Sequence, residues 1–279
     1  MIELSDRIAA GIVTYNPDIS ILEVNIISLK KQTDEIVIVD NFSENIEEIY
    51  QIGNKYKVLI ISNNQNLGVA TALNQIMSFS EEKLCSWCLT LDQDSLIPDD
   101  LVSKLSYYRN PDNGIVSCRH IDRNDVRTEK NSNSVEYVEW CISSGALSNV
   151  VAWRDIGKFD DYLFIDGVDL EFCLRLQEKN YKVLKVNNAV ISHSVGDAKL
   201  FRFFHKNILV KNHSSFRKYY IARNLIVIAK KHGNTKTIFI SYLKVFKQGL
   251  LVMFFEQQKL SKLSAIIKGV RDSKKYFYP

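Results

Sequence analysis

Residues 86–95, SWCLTLDQDS, decide the fold, because an apolar run that ends in two acids has the pattern of a buried strand. Side chains alternate along a strand, so Asp92 and Asp94 are expected on one side of the backbone, just beyond the sheet. Their oxygens suit a hard divalent cation that also binds phosphate. Acid pairs also occur in ordinary turns, but the position after an apolar run, with Ser95 and Pro98 ending the strand, favours a ligand site.

Three further strands precede this stretch. Residues 7–15, 35–41 and 58–62 are nearly continuous apolar runs, as in parallel strands that are covered on both faces. Residues 19–31 carry apolar side chains at helical spacing, and residues 69–79 also have a helical pattern. Strands that alternate with helices at this spacing predict an α/β fold with a mainly parallel sheet flanked by helices.

Composition places the chain among ordinary globular proteins. Its 279 residues are 46% hydrophobic and 24% charged, enough for one large domain or for one domain with an appendage. The N-terminus lacks a basic region followed by an apolar one, so no signal peptide is expected, and we expect an active site that faces the cytosol.

The five cysteines are expected to be reduced core thiols. They are odd in number and lie mostly in apolar runs, which is typical of a cytosolic protein. The pair Cys85-x-x-Cys88 also suggests zinc or redox chemistry, but no second pair has the spacing that completes a zinc site. The cysteines are Cys85, Cys88, Cys118, Cys141 and Cys173.

Charge is distributed unevenly along the chain. Residues 1–198 hold 18 Lys and Arg against 30 Asp and Glu, a net charge of −12. Residues 199–279 hold 18 against 2, a net charge of +16. This asymmetry indicates a polyanionic partner, either a membrane surface or a nucleic acid.

Several motifs follow one another along the chain in the order that is typical of a known family. The chain resembles the family 2 glycosyltransferases with the GT-A fold, and within them it is most similar to the bacterial rhamnosyltransferases. The likeness covers about residues 8–224 and implies a nucleotide-sugar-binding and catalytic domain at residues 1–200, followed by a basic amphipathic helical extension at residues 201–279. The motifs are VTYNP at 13–17, VDN at 39–41, NLGVA at 66–70, LDQDS at 91–95, SSGAL at 143–147, FIDGVD at 164–169, DLEFCLR at 169–175, HSVGD at 193–197 and RKYYIARN at 217–224.

The resemblance implies an inverting, metal-dependent transferase. It would move L-rhamnose from dTDP-L-rhamnose to a saccharide acceptor, lipid-linked, at the inner face of the cell membrane, in the biosynthesis of a surface polysaccharide such as O-antigen or capsule. The same machinery could use a UDP-hexose or a galactofuranose donor. A non-catalytic subunit that binds nucleotide sugar or membrane is the alternative from another functional class.

A cation is expected where negative charge develops on the departing pyrophosphate. Asp94 is predicted to be the direct ligand of Mg²⁺ or Mn²⁺, and by resemblance Asp92 holds the nucleotide sugar and assists the metal. The resemblance also implies His193 as a third ligand, since neutral imidazole can join two carboxylates on Mn²⁺. The alternative for His193 is an ordinary polar residue at the end of an edge strand.

The nucleotide is expected at the ends of the first strands. By resemblance Asp40 accepts the pyrimidine N–H, although an acid after a strand is also a common turn former. Asn66 and Gly68 allow the backbone to approach a diphosphate closely, or they form a plain turn. The residues assigned to the nucleotide sugar are Thr14, Tyr15, Asn16, Asp40, Asn66, Gly68, Asp92, Arg217 and Arg223.

Inversion requires a general base on the acceptor hydroxyl, and the acids of residues 160–175 are the candidates. The resemblance puts this base at Asp169, at the start of a predicted helix, where an N-cap is the structural alternative. Asp166 is the competitor for the base, and Glu171 is expected to orient its neighbours or to pair with Arg175 at i,i+4.

The basic tail contains a long apolar segment at residues 238–255. Ser241, Lys244, Lys247 and Gln248 form a polar stripe at helical spacing, which favours an amphipathic helix in the membrane interface over a transmembrane span. A homodimer interface would also account for the apolar face. Nucleic acid ranks last among the partners, because no nucleic-acid-binding motif accompanies the charge. Arg217 and Arg223 can bind the donor diphosphate or a lipid phosphate, or their helix can simply pack on the domain.

Overall fold

The computed structural model describes residues 4–122, 134–193, 199–203, 206–210 and 212–276. Two compact units divide the chain. The first comprises Met1–Tyr162 and Val168–Ser194, and the second comprises Leu163–Gly167 and Val195–Pro279. The division after residue 200, expected from the sequence, stays a prediction.

The first half of the sheet consists of four parallel strands in the order β3-β2-β1-β4. Each apolar run of the sequence forms the expected strand, and each helical pattern forms a helix between two strands. The strands are β1 Ser5–Thr14, β2 Glu35–Asp40, β3 Leu59–Ser62 and β4 Cys85–Asp92, and the helices are α1 Ile19–Lys30, α2 Ile46–Tyr56 and α3 Gly68–Glu82. The predicted α/β class is confirmed.

The second half of the sheet is mixed in direction and extends the order β4-β7-β5-β8-β6. β7 runs antiparallel to both β4 and β5, whereas β8 runs parallel to β5. The strands are β5 Asn113–Asp122, β6 Val135–Tyr137, β7 Ala146–Asn149 and β8 Lys182–His193, and the helices are α4 Leu101–Ser106, α5 Val150–Asp155 and α6 Val168–Glu178. The loop 143–145 therefore precedes β7.

The core of the first unit lies between the sheet and its helices. Ile12 and Leu89 from the strands and Leu22 and Ile26 from α1 have no exposed surface. The α1 helix begins after Asp18, whose carboxylate accepts the backbone N–H of Ser20 at 2.9 Å. This cap satisfies a donor that the first helical turn otherwise leaves without a partner.

The cysteines are buried free thiols, as predicted. Burial raises the pKa of Cys85 to about 11 and that of Cys88 to about 12. Because a thiolate is the form that binds zinc or attacks a disulfide, these values argue against the zinc or redox interpretation of this pair.

The second unit is built around three helices. A hairpin of β9 Lys199–Phe203 and β10 Lys206–Val210 precedes α7 Ser215–His232, α8 Thr235–Phe255 and α9 Lys259–Asp272. Apolar side chains of all three helices form its core: Ala222, Ile226, Val245, Val252 and Ile266. Gly269 allows α9 to approach α7, since a Cβ there would lie 2.4 Å from the carbonyl oxygen of Tyr219.

Helix α8 differs from its sequence-based interpretation. Ser241 is buried and Gln248 is half-buried, whereas Lys244 and Lys247 are exposed, so the expected polar stripe is divided between two faces. Among the helices of the described residues, α8 is the one that is long and apolar enough to cross a membrane, with 21 residues and a mean hydropathy of 1.6.

A buried charge cluster fastens the three helices together. Glu256, which ends α8, accepts a hydrogen bond from Lys218 of α7 at 2.6 Å and from Lys262 of α9 at 2.9 Å. All three side chains are buried. Burial opposes ionisation of Glu256, but the hydrogen bonds from Lys218 and Lys262 outweigh it and lower its pKa.

We expect Glu256→Gln to destabilise the second unit by about 3 kcal/mol, because two ammonium groups would remain buried without a countercharge. The measurement is the free energy of unfolding in urea, followed by circular dichroism. Glu82→Gln, which changes an exposed acid at the end of α3, is the control and should shift the value by less than about 0.5 kcal/mol. Equal stability of the two variants would show that the cluster does not fasten the helices.

Candidate active site

The strand ends bring the first group of predicted site residues to one edge of the sheet. In the parallel registers Thr14 lies beside Asp40, and Val13 lies beside Asp92. The carboxyl ends of β1, β2 and β4 thus meet, which is the usual position of a ligand site in an open α/β sheet.

Asp40 is completely buried, and its carboxylate is fixed by hydroxyl and amide donors. Oδ1 accepts from the hydroxyls of Thr14, at 2.9 Å, and Ser43, and Oδ2 accepts the backbone N–H of Ser43 at 2.9 Å. An ionised carboxylate has about four acceptor positions, so three of them are filled by these bonds. The remaining capacity is compatible with one N–H donor from a ligand.

Gln93, which the sequence did not single out, ties the end of β1 to the end of β4. Its side-chain amide accepts the backbone N–H of Tyr15 at 2.6 Å and donates to the carbonyl oxygen of Tyr15 at 3.1 Å. The Tyr15 ring is half-exposed. Asn16 has a left-handed φ of 51°, and its backbone N–H donates to Ser43 Oγ at 2.7 Å. The backbone of Tyr15 and Asn16 is therefore held by Gln93 and Ser43, and Ser43 also binds Asp40.

The turn before α3 is also held by amide side chains. Gly68 has a φ of +84°, a conformation that favours glycine, and its N–H donates to Asn66 Oδ1 at 2.9 Å. Asn41, next to Asp40, donates to the carbonyl oxygen of Gly68 at 3.1 Å. This hydrogen bond ties the turn before α3 to the end of β2. The arrangement is compatible with a plain turn and with a turn that binds a diphosphate.

The two acids of the central motif do not share a strand. β4 ends at Asp92, and the next residues turn, with the N–H of Ser95 donating to the carbonyl oxygen of Asp92 at 3.3 Å. Asp94 lies in the turn, so strand alternation does not set the directions of these two side chains. That both lie on one side stays a prediction. Both carboxylates are half-buried.

Ser144 braces this turn. Its hydroxyl accepts the backbone N–H of Asp92 at 3.0 Å and lies 2.8 Å from the hydroxyl of Ser95. His120 Nε2 lies 2.8 Å from the carbonyl oxygen of Ser144 and donates to it. Within the first unit, Ser144 therefore supports the backbone at the end of β4.

A bridge between Leu96 and Ser192 brings the end of β8 to the acid turn. The N–H of Leu96 donates to Ser192 at 3.0 Å, and the N–H of Ser192 donates back at 3.3 Å. His193 follows Ser192 and ends β8, whereas its side chain lies outside the described residues. The backbone of the predicted third ligand is thus close to the backbone that carries Asp94.

The donor chemistry of this edge fits a hard divalent cation. Asp92 and Asp94 offer carboxylate oxygens, which Mg²⁺ and Mn²⁺ prefer. Among the side chains that the structure describes, which exclude His193, no three His, Cys, Asp or Glu residues form a metal-binding group. The ligand set Asp92, Asp94 and His193 stays a prediction.

The acids of residues 160–175 have different surroundings. Asp169 is the second residue of α6 and is half-buried, at a helix N-terminus that favours its ionised form. Asp161 accepts from Thr71 and Asn74, each at 2.9 Å. Glu171 is buried and forms the predicted ion pair with Arg175, with two hydrogen bonds of 2.7 Å, so this expectation is confirmed. Glu171 therefore has a structural role.

Two comparisons identify the family. Residues 10–165, more than half of the chain, match the family described as "Glycosyl transferase family 2". The dTDP-rhamnosyl transferase RfbF of Shigella flexneri is 30% identical over 246 residues, which are 82% of each chain. This chain belongs to glycosyltransferase family 2.

Solved structures confirm the GT-A fold of this family 2 glycosyltransferase. GalNAc-T7, solved with UDP, GalNAc and Mn²⁺, has a TM-score of 0.62 at 14% identity, and the match covers 97% of this chain and 56% of GalNAc-T7. S. aureus TarS in complex with UDP-GlcNAc has a TM-score of 0.60 at 14% identity, covering 95% of this chain and 81% of TarS. The glycosyltransferase thus spans about half the length of GalNAc-T7.

Within the second unit of this glycosyltransferase, Asn224 holds the segment Leu163–Gly167, which leads into α6. Its side-chain amide donates to the carbonyl oxygens of Leu163, Ile165 and Asp166 at 2.8, 2.8 and 2.7 Å. Phe164 and Asp166 both have left-handed φ values, 64° and 62°, which cost about 1 kcal/mol or more each. Asn224 stabilises this strained backbone, which ends three residues before Asp169.

The arginines assigned to phosphate are both engaged within the second unit. Arg217 forms a two-pronged ion pair with Asp166, with Nε donating to Oδ2 at 3.1 Å. Arg223 is buried, donates to the carbonyl oxygen of Leu163 at 3.1 Å and lies 4.7 Å from the ring centre of Tyr220. Asp166 would have to leave its ion pair to act as a base. The phosphate role of both arginines stays a prediction.

We expect Asn224→Ala to lower the free energy of unfolding by about 1–3 kcal/mol, because the carbonyls of Ile165 and Asp166 lose this donor and that of Leu163 keeps only the bond from Arg223. It should also lower transferase activity, since the backbone that leads to Asp169 is released. Urea unfolding and single-turnover transfer assays measure the two effects. Asn54→Ala, on an exposed face of α2, is the control. Full activity of Asn224→Ala would show that the segment does not need this anchor.

Proposed function

We propose that the protein transfers L-rhamnose from dTDP-L-rhamnose to a saccharide acceptor with inversion at the anomeric carbon. The observation that carries this proposal is the 30% identity to a dTDP-rhamnosyl transferase over 82% of both chains. Family membership makes the chain a glycosyltransferase, and the identity of its donor is the finer part of the proposal.

The proposed donor pocket lies at the carboxyl ends of β1 and β2. Asp40 would accept the pyrimidine N–H, because Thr14 and Ser43 orient its carboxylate and leave acceptor capacity. Tyr15 and Asn16 would border the base, and Asn66 with Gly68 would lie near the diphosphate. The buried position of Asp40 supports this role, since a buried acid that accepts one more hydrogen bond gives specificity for a base.

Asp92, Asp94 and His193 would hold Mg²⁺ or Mn²⁺. When bound, such an ion neutralises the charge that develops on the diphosphate leaving group. The hydroxyl of Ser144 holds the backbone of Asp92, so the chain keeps this carboxylate close to the β4 end without the ion. The Mn²⁺ in the solved GalNAc-T7 structure supports a divalent ion in this fold.

Asp169 would be the general base. The acceptor hydroxyl oxygen forms the new bond to the anomeric carbon, its proton passes to Asp169, and the bond between that carbon and the phosphate oxygen breaks with its electron pair leaving on dTDP. The position at the start of α6 supports this role, because the helix N-terminus favours the ionised carboxylate that accepts a proton.

The acceptor and the cellular location complete the proposal. A lipid-linked saccharide at the inner face of the cell membrane would make the protein a peripheral membrane enzyme in the assembly of O-antigen or capsule. The net charge of +16 on residues 199–279 supports an anionic surface as partner. A homodimer is the competing explanation of the apolar face of α8.

A panel of nucleotide sugars tests the donor. dTDP-L-rhamnose, UDP-glucose, UDP-GlcNAc and UDP-galactofuranose are each incubated with the protein and Mn²⁺, and release of the nucleoside diphosphate is measured with and without a saccharide acceptor. Turnover is expected with dTDP-L-rhamnose. A chain active with a UDP-sugar and inert toward dTDP-L-rhamnose would refute the proposed donor, and the UDP-GlcNAc complex of TarS makes that the second candidate.

We expect Asp169→Asn to lower the rate of transfer by about 10²–10⁴-fold, because the amide cannot take the proton. Binding of dTDP, measured by calorimetry, should stay unchanged. Asp112→Asn, an exposed acid at the amino end of β5, is the matched control and should transfer normally. Unimpaired turnover by Asp169→Asn would put the base at another residue.

A further inference from the structure

Helix α8 exposes a continuous apolar row. Phe239, Phe246 and Phe254 are 62%, 65% and 66% exposed, and Leu243, Leu250 and Met253 between them are also exposed. These residues recur every three or four positions, so they lie on one side of the helix. A row of large apolar side chains along about four turns exceeds the scattered exposed hydrophobics of an ordinary surface.

The opposite side of α8 is the one that packs within the second unit. Val245 and Val252 belong to the core with α7 and α9, and Ser241 is buried beside them, donating to the carbonyl oxygen of Ile238 at 2.6 Å. Gln248 is half-buried on that side. Helix α8 therefore packs inside with small apolar and polar residues, while its large apolar side chains lie on the exposed side, where a water-facing helix usually carries polar ones.

Basic charge accompanies this apolar row without any available acid nearby in sequence. Lys236, Lys244 and Lys247 of α8 are exposed. The two acids of residues 199–279 are Glu256 and Asp272, and both are buried and bound to lysines of the same unit. The surface of α8 thus combines exposed hydrocarbon with exposed lysines, and residues 199–279 contain no exposed acid to pair with them.

The exposed hydrocarbon and the positive charge of α8 together indicate which partner covers the apolar row. In a two-fold dimer the same patch meets itself, so the lysines of one copy would approach those of the other. No acid of residues 199–279 is available to separate them, and like charges across an interface are unfavourable. An anionic lipid surface instead offers hydrocarbon to the phenylalanines and negative charge to the lysines.

We propose that α8 lies in the plane of an anionic bilayer surface, with Phe239, Phe246 and Phe254 inserted among the acyl chains and its lysines at the headgroups. This deepens the membrane localisation within the proposed function. A span is disfavoured, because Lys244 and Lys247 near the middle of α8 would enter the hydrocarbon, and because one face already packs on α7 and α9.

Sedimentation with vesicles tests the proposal on the full chain. The protein is mixed with vesicles of phosphatidylcholine alone and with vesicles that also contain phosphatidylglycerol. Binding is expected for the anionic vesicles, weaker in high salt, and little for the neutral ones. Absence of binding to anionic vesicles by the unmodified protein would overturn the proposal, whatever the variants do.

The variants separate lipid from protein partners. Phe246→Ser and Phe254→Ser should each weaken binding by about tenfold or more, and Lys244→Gln and Lys247→Gln by about fivefold each on anionic vesicles. Tyr107→Ser, which removes an exposed aromatic of the first unit, is the matched control and should bind normally. Unchanged binding by both Phe variants would contradict insertion of this row.

Sedimentation velocity and transfer to a soluble acceptor complete the test. The proposal expects a monomer in solution, and Phe variants that transfer normally to a soluble saccharide. A dimer that Phe246→Ser converts to a monomer would assign the row to a second copy and overturn the proposal. Because vesicle binding does not require donor turnover, its failure is distinguishable from failure of the proposed activity.

Discussion

The parallel register of β1, β2 and β4 is the constraint on which the site depends. It ends three strands at one sheet edge and so brings Thr14 and Asp40 together beside Asp92. Polar groups at such an edge are partly withdrawn from water and need internal partners. Hydroxyl and amide side chains supply them: Ser43 for Asp40, Gln93 for Tyr15 and Ser144 for Asp92. The carboxylate of Asp40 and the backbone of Tyr15 and Asp92 are thus held in place by side chains of the first unit.

The same need for partners explains the segment before α6. Left-handed backbone at Phe164 and Asp166 is unfavourable for residues with a Cβ, and it persists because the Asn224 amide and the Arg217 guanidinium hold the segment from outside. This anchoring belongs to the second unit, whereas Asp169, two residues after Gly167, belongs to the first. The chain thus connects the helical extension to the acid that family resemblance makes the base.

The second unit carries a large excess of basic residues. Residues 199–279 hold 18 basic residues against two acids, and both acids are paired with lysines inside the unit, whereas Lys236, Lys244 and Lys247 of α8 are exposed. Glu256 forms ion pairs with two lysines, and these pairs stabilise the contact of α7, α8 and α9. The acids that could have balanced the surface are therefore used inside, and the exposed side of α8 keeps its positive charge.

Local sequence pattern was sufficient to predict several strands, helices and one ion pair of this protein. The apolar runs predicted β1 to β4, the helical spacing predicted α1 and α3, and the i,i+4 spacing predicted the pair of Glu171 and Arg175, because each of these depends on neighbours in the chain. The sequence motifs indicated the family without any structural information. The braces of the site could not be found this way: Gln93, Ser144 and the bridge from Leu96 to Ser192 join residues about 50 to 100 positions apart, and no periodicity marks them. Helical spacing also could not tell which side of α8 faces inward, because the apolar row and the core contacts both recur every three to four residues. Packing against α7 and α9 made that choice, and with it the side on which the phenylalanines lie.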